Sequence, residues 1–192
     1  MKTHPTHWLA ALALCALTGL AQGAELENQR FDDQTTLAGQ TLKLNGLGLR
    51  SVFIIKAYVA GLYLPEKSNT AADILQTNAP KRLQLRPLME LSASDIKKAL
   101  LDGMRKNASD AQWATLQDRA LALGRTIDNI GLSKPGDTIA LDYVPASGMS
   151  VLINNVPKGA PVPGADFYAA VLDIFIGNSP VDTRLKKGLL GL

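Results

Sequence analysis

Cysteine and histidine are almost missing from this 192-residue sequence, which has one Cys, at position 15, and two His, at positions 4 and 7. All three stand inside what reads as a removable leader. Lys2 and the two histidines run into an apolar segment from Trp8 to Leu20, and the following "AQGAE" places Ala21 and Gly23 three and one residues before a cut after Gly23, the pattern of a secretory signal peptide. At about 13 residues the apolar run is shorter than the roughly 20 a spanning helix requires, and no other uninterrupted run is long enough. Cys15 follows Leu14, where a lipid-anchored protein would carry a small residue, and it interrupts the apolar run. The expectation is a signal peptide over residues 1–23 and one domain over 24–192, exported, periplasmic in a Gram-negative bacterium, with no integral membrane segment after processing.

Loss of the leader excludes a great deal. A chain from Ala24 onward without Cys or His cannot build a Ser-His-Asp triad, a cysteine nucleophile, a disulfide or a His/Cys metal site. No metal and no cofactor is expected, and chemistry is left to Arg, Lys, Tyr, Ser, Thr, Asn, carboxylates and backbone. The 169 remaining residues carry 19 Lys plus Arg against 17 acids, a length that suits a single domain with a real core. The charges are interspersed, and Trp113 is the one tryptophan beyond the leader. With few aromatics for base stacking and no basic stripe, nucleic acid is not an expected partner.

What is present is strongly patterned. Residues 25–31 and 41–49 read as strands with a turn near Ala38 and Gly39, and 51–64 as one long β-branched and aromatic strand closed by Pro65. "RLQLRPLMEL" (82–91) is a further strand whose Pro87 points to an edge or bulge position. Arg82 and Arg86, on one face of it, read as a solvated face. The period then changes. Ser92 and Asp95 stand in capping-box spacing ahead of an apolar stripe through Ile96, Ala99, Leu100, Gly103 and Met104, and Ser109 with Gln112 opens a second helix that ends near Gly124. "TIALDYVPASGMSVLINN" reads as a hairpin turning at Pro145–Gly148, with Ile139, Leu141 and Tyr143 on one face. The chain closes with a helix over 165–176 and another announced by Ser179 as N-cap and Pro180 in the first turn. Antiparallel strands segregated from helices predict an α+β fold, a large antiparallel β-sheet with a layer of helices on one face.

In this order, "NGLGLR", "KAYVAGLYL", the helix pair, "DYVPASGMSVLINN" and "FYAAVLDIFIGNSPVDTRLKKGLLG" resemble the chalcone-isomerase-like family in its short bacterial exported branch. The resemblance covers nearly all of residues 24–192 and implies a hydrophobic ligand cleft between sheet and helices. In the plant enzymes of the family, an arginine in a "G-x-G-x-R" stretch binds the substrate's anionic oxygen, and Arg50 matches it. Tyr58 occupies the place of a threonine that helps polarise the ketone. The positions of a catalytic tyrosine and asparagine fall on Ser92 and Ala99, neither of the catalytic type. In fatty-acid-binding members an arginine and a tyrosine hold the carboxylate, and Arg50 with Tyr58 resembles that pair.

The physical reading of these residues leaves two acceptor sets open. A guanidinium in an apolar cleft without a fixed partner is costly, and a ligand carboxylate would relieve it, with the Tyr58 phenol donating a third hydrogen bond. Strand parity puts Arg50, Lys56 and Tyr58 on one face, yet eight residues of straight strand separate Arg50 from Tyr58 by about 26 Å. They converge only if the chain turns between them, whereas Lys56 and Tyr58 are neighbours without any turn. The expected function is binding of a small hydrophobic carboxylate or phenolic ligand, a fatty acid or an aromatic acid. The alternatives are a chalcone-isomerase-type intramolecular lyase acting on an enone, and an interaction protein whose cleft is filled by its own side chains.

Overall fold

A computed structural model describes residues 23–192. The leader, with Cys15, His4 and His7, lies outside the described residues. The chain runs β1 (Ala24–Leu26), β2 (Gln29–Phe31), β3 (Gln34–Leu37), β4 (Gln40–Val52), β5 (Ile55–Leu64), α1 (Ala71–Gln76), β6 (Lys81–Pro87), β7 (Leu91–Ser92), α2 (Ala93–Asn107), α3 (Asp110–Asp128), β8 (Leu132–Ser133), β9 (Ile139–Val144), β10 (Gly148–Ile153), β11 (Val156–Val162), α4 (Ala165–Ile176) and α5 (Thr183–Leu189). Seven strands form one antiparallel sheet in the order β11-β10-β9-β6-β5-β4-β3. This is the expected α+β fold, with helices gathered on one face.

Alternation along the central strands sorts two cores. Ala60, Leu62 and Leu64 of β5, Leu83 and Leu85 of β6, and Ile139 and Tyr143 of β9 face the helices and join Leu100, Met104, Leu123, Phe167, Leu172 and Leu185 in the main core. Val59 and Tyr63 point to the other face, where Phe31, Leu42 and Leu44 form a second, smaller core under the β1–β2 hairpin. That hairpin corrects the single strand expected over 25–31: Glu27 and Asn28 both take positive φ, 52° and 58°, and fold it back on itself. It also corrects the reading of Arg82 and Arg86 as solvated. Arg82 forms a two-pronged pair with Asp142, Nε to Oδ1 and Nη2 to Oδ2, both at 2.6 Å. Arg86 lies 5.1 Å over the Phe31 ring, with a buried Nε that has no hydrogen-bond partner among the described residues. Pro87 ends β6, an interior strand rather than an edge. As the last residue it interrupts no pairing beyond it.

The helices start where the caps predict. Ser92 Oγ accepts from Asp95 N at 3.1 Å, and Ser109 and Gln112 complete a reciprocal capping box. The second of these helices continues past Gly124 to Asp128, because Gly124 lies inside it against the Lys97 side chain. The last helix corrects the Ser179–Pro180 start. Asp182 is its N-cap, its Oδ1 accepting from Arg184 N at 2.8 Å and Leu185 N at 3.2 Å. A carboxylate two residues beyond the proline outcompetes the hydroxyl before it, since it satisfies two orphan donors at once.

The glycine-rich stretch before Arg50 is a seat for α5. A Cβ at Gly46 would lie 2.1 Å from Gly188 O, and one at Gly48 would lie 2.5 Å from Leu185 O. Asn45, left as the extra residue by a register shift between Leu44 and Gly46, donates to Leu189 O at 2.7 Å at the other end of the helix.

Candidate functional site

The run expected as one strand over 51–64 is broken by a two-residue turn at Phe53 and Ile54, with Val52 paired to Ile55. None of Val52, Phe53, Ile54 and Ile55 is a turn residue, and Phe53 takes φ 54°. The turn brings β4 and β5 face to face. A second irregularity follows: the register passes from Ser51↔Lys56 to Arg50↔Tyr58, so Ala57 is an extra, bulged residue. The bulge sets which of these side chains come together. Arg50 and Tyr58 become direct cross-strand partners, which places their Cβ atoms about 5 Å apart on one face. Lys56 is carried to the opposite face along with Ser51. It pairs there with Glu27 of the β1–β2 hairpin, Nζ to Oε2 at 2.6 Å, and is not part of the cavity wall.

Arg50 and Tyr58 open onto a cavity of about 280 Å³ between the sheet and α2, α3 and α4. Its walls are apolar, built from Leu85, Leu100, Leu123, Ile127, Ile139, Val151, Ile174 and Phe175 among others, and its polar lining residues are Arg50, Tyr58, Asp95 and Ser133. Its size is near the lower end for small-molecule sites, about 300 Å³. Asp95 and Ala99 of α2 and Val52 of the turn are exposed while lining it, so the mouth lies between α2 and the β4–β5 tip. Ser133 is 1% exposed and its hydroxyl has no hydrogen-bond partner among the described residues. A larger hollow of about 360 Å³ beside α1 is of mixed character, lined by Leu64, Pro65, Ile74 and Ala79 together with Glu66, Lys67, Ser68, Asp73, Thr77 and Lys81.

Sequence reasoning missed the fixed partner of Arg50. Asp182 Oδ2 lies 3.6 Å from Arg50 Nη1, with side-chain exposures of 7% and 22%, and accepts from Ser51 N at 3.3 Å. The guanidinium is therefore compensated, and the free charge assumed from the sequence is corrected. The available signal was Asp182 itself, an N-cap residue type ahead of "TRL". Arg50 Nη1 also donates to Ser51 O at 2.6 Å. Both contacts run through Nη1, which leaves Nε and Nη2 to donate elsewhere. Burial pushes the Asp182 carboxyl up, but hydrogen bonds from Leu185, Arg184 and Ser51 N–H groups outweigh it and hold the group below the usual carboxylate range. Burial pushes the Tyr58 phenol well up, only partly offset by Arg50. Tyr58 is thus a neutral donor at physiological pH, and its hydroxyl makes no hydrogen bond among the described residues. Ser92 is engaged as the α2 cap, and Ala99 contributes a methyl group to the wall.

Taken together, these features define an α+β protein with a helix-covered antiparallel sheet and an apolar cavity held between the layers. The chain belongs to the chalcone isomerase-like family, which matches residues 23–191. Among solved structures it is similar in fold to a fatty-acid binding protein of Arabidopsis thaliana, at 15% identity and a TM-score of 0.68, covering 88% of this chain and 96% of that one. No curated protein sequence matches it.

Proposed function

We propose that this chain is an exported binding protein for a small hydrophobic carboxylate, a fatty acid or an aromatic acid, held with its acid group on Arg50 and Tyr58 and its tail in the cavity. The observation that carries this is the cross-strand pair itself: two donors side by side at the edge of an apolar hollow, one a phenol without a hydrogen-bond partner among the described residues. The free Nε and Nη2 edge of a guanidinium fits a carboxylate in two-pronged fashion. Family membership and a fatty-acid binding structural neighbour support the same reading. Asp182 is the competing anion, and its ion pair with Arg50 at 3.6 Å is longer than a charge-assisted hydrogen bond.

Calorimetric titration of a long-chain carboxylate and its methyl ester tests the assignment. Arg50→Ala should weaken the acid by about 10- to 100-fold, the loss of a charged hydrogen bond, and barely weaken the ester. Tyr58→Phe should act the same way but less strongly. A purely structural Arg50, serving only to hold α5, predicts lower stability with equal affinities for acid and ester, and that result would overturn the proposal.

A further inference from the structure

The tip of the β4–β5 hairpin breaks three rules together. Phe53 and Ile54 are 97% and 94% exposed, and Val52 and Ile55 beside them are 44% and 55% exposed, a contiguous apolar projection where a surface turn is ordinarily polar. Phe53 takes φ 54°, a conformation that glycine or asparagine adopts readily and a bulky aromatic does not. Two-residue hairpin turns are ordinarily built on those same residues. Agreement of local rules is what a stable fold selects, and concentrated violations mark sites that serve something else.

The tip also has a definite place. Val52 belongs both to this projection and to the cavity wall, and the mouth lies between the tip and α2. We propose that the hairpin tip, Val52 to Ile55, inserts into the surface of a phospholipid bilayer and brings the cavity mouth against it. Size favours a bilayer over a protein partner. A Phe-sized side chain covers roughly 150–250 Å², so a tip with two fully projecting residues falls well short of the roughly 800 Å² per partner of a stable protein interface. A bilayer, by contrast, accepts an isolated apolar protrusion to headgroup depth without shape complementarity. From Ser51 to Lys56 there is no acidic residue, and the half-exposed Lys56 at the base of the tip has its charge matched by Glu27, so the tip itself meets the bilayer as an uncharged apolar projection. Among the described residues no helix is long and apolar enough to cross a membrane, and the contact proposed is that of the tip alone. It stands whether or not the cavity takes a carboxylate.

The test uses protein secreted through its own leader, with the N-terminus fixed by intact mass, and phosphatidylcholine vesicles containing phosphatidylglycerol. Phe53→Gly with Ile54→Asn removes the apolar tip and restores favourable turn chemistry, and neither residue lines the cavity. The expected result is flotation of wild type with vesicles, at least tenfold less flotation of the double variant, and a variant melting temperature no lower than that of wild type. Phe53→Trp supplies a local reading in the native fold, with emission that shifts to the blue when vesicles are added. Equal flotation of wild type and double variant, absence of wild-type flotation, or Trp emission indifferent to vesicles would each overturn the proposal. So would a concentration-dependent dimer that the double variant abolishes, which would assign the tip to a second copy of the chain.

Discussion

Asp182 accepts hydrogen bonds from three backbone N–H groups while facing Arg50, so one side chain both starts α5 and steadies the cavity's cation. Arg50→Ala consequently lowers stability, by about 1 kcal/mol for a partly exposed pair, where an uncompensated arginine would have raised it. Residue identity alone showed that Arg50 and Tyr58 were unusual. It did not show their convergence, because that depends on a turn without turn residues and on one bulged alanine. Arg82 and Asp142 give the same lesson on the opposite face. Alternation places Arg82 on a face, but it does not say that a hairpin over 24–31 will cover that face or that Asp142 of β9 lies directly across. Asp142 is 4% exposed, and its removal leaves the largely buried Arg82 guanidinium without a carboxylate, with the Thr35 hydroxyl as its remaining side-chain partner among the described residues. Asp142→Ala should cost about 3 to 5 kcal/mol. The double change Arg82→Leu with Asp142→Leu should recover most of that loss, since apolar pairs of similar volume replace buried ion pairs well. Urea unfolding of the single and double variants measures both, and a double variant as unstable as the single would show that the pair is more than mutual compensation.

At the scale of elements, the caps of α2 and α3, the whole of α4 and the β9–β10 hairpin were legible, the first two from their capping residues, α4 from an apolar run of helical length and the hairpin from its alternation. The "NGLGLR" motif was legible as a signal but not in its main use. Asn45, Gly46, Gly48 and Arg50 address successive points along α5, from the Leu189 carbonyl to the Asp182 cap. Only the backbone-to-backbone approach of a helix to a strand explains glycine at both 46 and 48. The approach is mutual, since a Cβ at Gly188 would lie 2.2 Å from Leu47 O. Gly48→Ala should therefore destabilise the protein by about 1 to 3 kcal/mol, the usual range for overpacking. Gly188→Ala should do likewise, and the two together should cost less than their sum, because the first already lifts the helix away from the strand. Chemical denaturation gives the three values, with amide exchange in α5 as the local readout. Strict additivity would mean that the helix stays seated and the strain is absorbed elsewhere.

For the molecule as a whole, two cores on either side of one sheet leave little room for an unpaired charge, and the sequence located the larger core well. It did not mark Lys81, which reads as an ordinary cation at the start of a strand. Lys81 is 3% exposed, lies 5.6 Å from the Tyr143 ring centroid, donates to the Thr77 carbonyl, and has no carboxylate partner among the described residues. Burial lowers its ammonium from 10.5 to about 8. The folded state thus disfavours the proton that the unfolded chain keeps. Below pH 8 the lysine is charged in both states, and the whole penalty is present. As pH rises from about 8 to 10.5, the unfolded chain holds more of this proton than the fold does, and this group's contribution to stability increases. Lys81→Met keeps the length of the side chain and removes the charge. It should stabilise the protein at pH 7 by on the order of 1 to 2 kcal/mol. Other groups titrate over the same alkaline range, so the difference between variant and wild type is the quantity that isolates Lys81. Urea unfolding of both proteins at intervals from pH 7 to 10 should show that difference constant near neutrality and shrinking above pH 8, whereas a gap independent of pH would mean that the ammonium keeps its water and is not penalised by the fold.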